Sequence, residues 1–134
     1  VKRYVEEPSS EIVRQGMRDA ILTTSRLSEV EVTSALVRRW RQGDLTLGEL
    51  DRTLDALQAD LRSLNLIEPI AEITALAGTL LRRHPLRAGD ALQLASSIYL
   101  QRKVHGKLEF WAFDQRLNEA ATKEGLAASA RAAR

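Results

Sequence analysis

Short runs of bulky or β-branched residues alternate along this chain with longer segments whose apolar residues recur every three or four positions. The runs are ILTTS (21–25), NLIEP (65–69, ended by Pro69) and LEFWAFD (108–114). Parallel neighbours in a sheet need a crossover connection, and a helix supplies it while covering a sheet face. The alternation therefore predicts an α/β fold with a central parallel sheet and helices on both faces. LEFWAFD is the clearest strand, because Phe110, Trp111 and Phe113 crowd bulky side chains onto both of its faces, as a strand covered on both sides requires.

The helical segments follow from apolar spacing and from their stop signals. Ser9 or Ser10 caps a short helix carrying Ile12, Val13 and Met17, with Pro8 just ahead of it. Leu27, Val30, Leu36, Val37 and Trp40 mark a helix that Gln42-Gly43 closes. Leu47, Leu50, Leu54, Leu57 and Leu61 make an amphipathic surface helix, and Ile73, Leu76, Ala77, Leu80 and Leu81 a further one. Between Ala91 and Leu100 apolar residues lie on nearly every side, which predicts a helix packed on more than one face. Asp114 opens the next helix, DQRLNEAATKEG. The remainder, LAASARAAR, has no β-branched residue, so residues 1–125 read as one domain and 126–134 as a C-terminal tail.

Composition narrows the chemistry. The 134 residues suffice for one domain with its own core, and 44% hydrophobic with 28% charged residues is ordinary for a globular protein. Twenty basic against eighteen acidic residues leave +2, too little for a chain coated in cations, so any nucleic-acid contact is local. The absence of cysteine excludes disulfides, Cys-based zinc sites and thiol nucleophiles. There is no GxGxxG, GxxxxGKS or HExxH motif, and neither His84 nor His105 sits beside a serine-nucleophile signature. No apolar run approaches the roughly 18 residues of a membrane span, and VKRYVEEPSSE lacks a signal-peptide core. A cytoplasmic protein with no membrane contact is expected.

Carboxylates remain as carriers of chemistry. Asp114 sits where LEFWAF ends, at the carboxyl edge where ligands collect in open parallel sheets; equally, it caps the following helix. Asp90 follows Gly89 at the opening of the buried helix and has the same two readings. Glu31 lies between Val30 and Val32, near the apolar stripe of its helix, and a buried acid needs a partner; its bland reading is a capping box with Ser28. Three acids gathered at one strand edge repel one another unless a divalent cation lies among them. Oxygen-only ligation favours Mg²⁺ or Mn²⁺, which commonly join a few carboxylates to phosphate oxygens. Phosphodiester hydrolysis is the reaction that follows.

TSRLSEVEVTSAL, LRAGDALQLASS and FWAFDQRLNEAA resemble, in order and spacing, the signature regions of PIN-domain ribonucleases of the VapC toxin type, and VKRYVEEPSSE resembles that family's first helix. The likeness runs from Val1 to about Gly125. It implies a PIN-like α/β domain in which Glu31, Asp90 and Asp114 hold Mg²⁺ or Mn²⁺ and activate a water for in-line attack on an RNA phosphodiester; Glu29 is the less fitting acid of its pair. It further implies an endoribonuclease toxin of a type II toxin–antitoxin system, a cognate antitoxin whose C-terminal segment crosses the site, and a homodimer. The family's first strand, carrying an Asp in a D-x-S-type motif, has no counterpart ahead of VKRY. Because the chain starts at Val1 inside a helix-like pattern, that strand is expected upstream.

Three basic clusters offer tracks for an RNA backbone: Arg38, Arg39 and Arg41 around Trp40; Arg82, Arg83 and Arg87; Arg102, Lys103 and Lys107. Each also reads as a solvated surface. The Leu47–Leu57 stripe fits core packing or a homodimer face. Two other functions stay open: a catalytically inactive PIN-like domain that binds RNA or a protein partner, and a helix-turn-helix regulator using LTLGELDRTLDAL, whose acids suit a phosphate-facing helix poorly.

Overall fold

The computed structural model describes residues 23–104, 108–110, 112 and 114–128. The expectations for residues 1–22, for His105 and Lys107, for Trp111 and Phe113, and for residues 129–134 lie outside the described residues. The chain divides into two compact units, Val1–Leu66 and Ile67–Arg134.

In the first unit, β1 (Thr23–Ser25) leads into α1 (Leu27–Arg41). The hydroxyl of buried Ser25 accepts from the Leu27 amide at 3.2 Å, meeting one of the orphan donors of the first turn. Because α1 already starts at Leu27, Ser28 lies inside it and the Ser28–Glu31 capping box does not form. The helix ends as Gly43 predicts: Gly43 takes φ +85°, its amide donates to Trp40 O and that of Asp44 to Arg39 O, the paired bonds of a Schellman turn.

Helix α2 (Leu47–Ser63) begins with a capping box the spacing argument overlooked. The Glu49 amide donates to Thr46 Oγ1 at 3.1 Å, and the Thr46 amide donates back to Glu49 Oε1 at 3.4 Å. Leu50, Leu57 and Leu61 are buried, whereas Leu47 at the helix start is 56% exposed. Helices α1 and α2 pack on each other, and Gln58 Nε2 donates to Glu29 Oε1 across them at 3.0 Å. After α2 comes β2 (Asn65–Ile67), which pairs with β1.

The second unit is built on α3 (Ala71–Arg83) and α4 (Ala88–Lys103), which pack along their lengths. Ile73, Ala77 and Leu80 of α3 meet a core that includes Ala91, Leu94, Ala95 and Ile98 of α4. From Ala91 to Leu100 every residue of α4 is buried or half-buried, as its unstriped sequence predicts, and even Ser96, about 140° around the helix from Ala91, is buried, its hydroxyl donating to Leu92 O at 2.8 Å. Gln101 Oε1 accepts from the Leu108 amide at 2.8 Å, fixing the approach to β3 (Glu109–Phe110). Asp114 then caps α5 (Gln115–Lys123), whose Leu117, Ala120 and Ala121 are buried.

The reading of 126–134 as a tail fails for its first three residues. Gly125, at φ +88°, closes α5 with a second Schellman turn, and Leu126 is buried against the same core. Ala127–Ala128 forms β4, parallel to β3 with Glu109 opposite Ala127 and Phe110 opposite Ala128. β-branched content mattered little because this pairing rests on backbone groups, and the buried Leu126 brings them into register.

Candidate active site

Asp114 stands past the C-terminal end of β3, in an extended conformation (φ −89°, ψ 125°), as the N-cap of α5. Its Oδ1 accepts from the Leu117 amide at 2.9 Å, and the carboxylate is exposed. Capping and ligand binding are therefore compatible here: one oxygen holds the helix start, and Oδ2 has no hydrogen-bond partner among the described residues.

Asp90 does not cap α4. Arg87 occupies the cap position without a side-chain cap bond, which puts Asp90 in the first turn, half-buried. There it benefits from the positive end of the helix dipole, and its carboxylate makes no hydrogen bond or ion pair among the described residues. Asp90 and Asp114 thus belong to one unit, on helices α4 and α5 that contact each other.

Glu31 is not buried, contrary to expectation. It is exposed, and neighbouring Val30 is 64% exposed. The reason is the helical wheel: the fully buried Leu36 defines the inner face of α1, and a residue seven positions before it is only about 20° off that face, whereas one five before is about 140° away. Glu29, half-buried and bonded to Gln58, occupies the inner position instead. Glu31 belongs to the first unit, Asp90 and Asp114 to the second. Among the described residues no three or more His, Asp or Glu side chains are grouped so as to hold a metal ion.

The basic clusters occupy helix ends. Arg38, Arg39 and Arg41 lie in the last turn of α1, Arg82 and Arg83 in that of α3, and Arg102 and Lys103 in that of α4. Cations there offset the negative end of each helix dipole, which accounts for their placement without a ligand.

Two features went unread in the sequence. Asn118, one turn into α5, donates from Nδ2 to the Ala112 carbonyl at 2.7 Å, while its Oδ1 is buried with no donor among the described residues. The other is an ion cluster between the ends of α3 and α5. His84 Nε2 donates to Glu124 Oε1 at 2.8 Å, and Arg83 reaches both Glu124 oxygens at 3.2 and 3.3 Å. The His84 side chain is 8% exposed. Its hydrogen bond, opposed by burial and reinforced by Arg83, holds the Glu124 carboxyl below the usual carboxylate range. Forty residues separate the partners, so no local spacing rule links them.

A family model described as PIN domain matches residues 4–123. The chain belongs to the PIN-domain family. No curated protein matches the chain. The match spans both units, and this PIN-domain protein has the α/β architecture and parallel strand pairing expected of it. PIN domains are typically metal-dependent nucleases, which gives a nuclease-type hydrolase at the family level. The helix-turn-helix reading of LTLGELDRTLDAL lapses: in this PIN domain the segment supplies the capping box and the buried Leu50 and Leu57 of α2.

The donor set suits the hard divalent cations that PIN domains generally use. Among the described residues Asp90 has no hydrogen-bond or ion-pair partner and Asp114 keeps one oxygen free, and the chain has no cysteine to favour a softer ion. Mg²⁺ in particular is held by one or two carboxylates together with water and substrate phosphates rather than by an all-protein cage. No described helix is long and apolar enough to cross a membrane.

Proposed function

We propose that this PIN domain is a Mg²⁺- or Mn²⁺-dependent endoribonuclease, the toxin of a type II toxin–antitoxin pair of the VapC type. The observation that carries the reading is Asp114, placed beyond the carboxyl end of the parallel β3–β4 pair with one oxygen capping α5 and the other uncommitted, in a chain matched by the PIN model over residues 4–123. Glu31, Asp90 and Asp114 are the acids we assign to the cation. When bound, the ion acts as a Lewis acid toward a phosphodiester and lowers the pKa of an attacking water.

The chain's own residues do the rest. Leu117 N–H keeps the Asp114 carboxylate in place, and the first turn of α4 presents Asp90 near the positive end of that helix. Phosphate oxygens of the RNA would supply further ligands to such an ion. The proposed partners are the RNA substrate, a cognate antitoxin and a second copy of the chain. Since Leu50, Leu57 and Leu61 are consumed within the protein, the homodimer proposal now falls on exposed apolar residues such as Val30 and Leu47. The binding-only alternative has no observation in its favour.

The deciding experiment incubates the protein with single-stranded RNA in Mg²⁺ or Mn²⁺, with and without EDTA, beside Asp90→Asn. Cleavage should require the metal and vanish in the variant while its circular dichroism stays that of the wild type. Cleavage that survives EDTA, or none in any metal, defeats the reading.

A further inference from the structure

Ala112 and Asp114 lie between β3 and α5, and two consecutive residues of α5 bond to them. The Leu117 amide donates to Asp114 Oδ1 at 2.9 Å. The Asn118 amide donates to the Asp114 carbonyl at 3.0 Å, and Asn118 Nδ2 reaches back to the Ala112 carbonyl at 2.7 Å. The first two bonds belong to any capped helix. The third does not: it ties the chain on the strand side of Asp114 to the helix on its other side, so that the carboxylate is held between two anchored points.

The side chain that makes this bond is costly where it stands. Asn118 Oδ1 is buried with no donor among the described residues, which disfavours the side chain there. Rotating the amide to exchange its ends would set Oδ1 against the Ala112 carbonyl at 2.7 Å, acceptor against acceptor, so the contact itself settles the orientation. Alanine or leucine at this position, beside the buried Leu117 and Ala121, would remove the penalty and favour the helix. What they would not supply is the donor to Ala112.

We propose that Asn118 is a positioning residue for Asp114: its Nδ2 bond to the Ala112 carbonyl fixes the turn from which Asp114 presents its second oxygen to a divalent cation. The proposal rests on the reading of Asp114 as a metal ligand. Groups that orient a ligand through a hydrogen bond are worth about 10–100-fold in metal affinity, and this one acts through backbone rather than through the carboxylate.

The test is calorimetric titration of the full chain with Mn²⁺, wild type against Asn118→Ala and Asn118→Leu, together with hydrogen exchange of the Leu117 amide and thermal unfolding. Both variants should fold. Mn²⁺ affinity should fall at least tenfold, the Leu117 amide should exchange at least tenfold faster, and kcat for RNA cleavage should drop with KM little changed. Alanine truncates the side chain and leucine replaces its volume, so a packing fault in one is controlled by the other. Mn²⁺ affinity and Leu117 exchange within twofold of wild type in a folded variant, even with altered stability, overturn the role of Asn118. A wild-type protein that binds no Mn²⁺ overturns the metal-site reading itself, and this inference with it.

Discussion

Asp114 carries two roles on two oxygens, and a pair of substitutions separates them. In Asp114→Asn the amide oxygen still accepts from the Leu117 amide, now 2.9 Å from Oδ1. Asparagine caps about as well as aspartate, so only the charge–dipole attraction is lost, roughly 0.3–1 kcal/mol. In Asp114→Ala the acceptor disappears and the cost is about 1 kcal/mol, within a range of about 0.5–2. The alanine variant should therefore melt a few degrees below wild type, and the asparagine variant closer to it. Metal affinity follows the other oxygen. At an effective dielectric of 20 and about 4 Å, one unit charge contributes about 4 kcal/mol toward each unit charge on its partner, which is more than a hundredfold in affinity. Both variants should thus lose Mn²⁺ binding and RNA cleavage alike, while differing in stability. Thermal unfolding, Mn²⁺ calorimetry and cleavage of a labelled RNA read the three quantities. An asparagine variant that still cleaves RNA at the wild-type rate refutes the ligand role; one that unfolds as readily as the alanine variant refutes the assignment of Oδ1 to the cap.

Further outcomes concern the scaffold. Leu94, fully buried in the second unit, should cost about 2–5 kcal/mol when truncated to alanine, read as a shift of the urea midpoint at constant slope. Gly125→Ala should destabilise by about 1–2 kcal/mol through its left-handed backbone alone, because a Cβ there meets nothing within 4 Å; an unchanged urea midpoint would contradict that. Glu124, held below the usual carboxylate range chiefly by His84, contributes stability that is present above its unfolded-state pKa and lost as pH falls through its lowered folded-state value. Glu124→Gln should accordingly flatten the acid side of the stability–pH curve and lower stability at neutral pH. An acid limb identical to wild type would show that the cluster does not contribute.

The legible part of the fold is the part governed by neighbours in sequence. The leucines of α2, the unstriped apolar pattern of α4, the stops at Gly43 and Gly125, and Asp114 at the head of α5 all follow from interactions within a few residues. Helical periodicity and capping chemistry are encoded at that range. The burial of the acids in α1 was not legible for a related reason: Val30 and Val32 flank Glu31 in sequence, yet a helix is oriented by its most deeply packed residue, and Leu36 turns Glu29 inward.

By itself, the sequence determined the alternation of short strands with helices, the stop at Gly43, the start of α5 at Asp114, and the candidate carboxylates Glu31, Asp90 and Asp114. Tertiary structure alone decided that two alanines form a strand beside Glu109–Phe110, that His84 meets Glu124, and that Asn118 holds the turn at Asp114. The physical difference is one of range: turns and helices are stabilised by contacts between residues a few positions apart, whereas these pairings exist only after burial of Leu126 and the α3–α4 core has brought distant backbone and side-chain groups together.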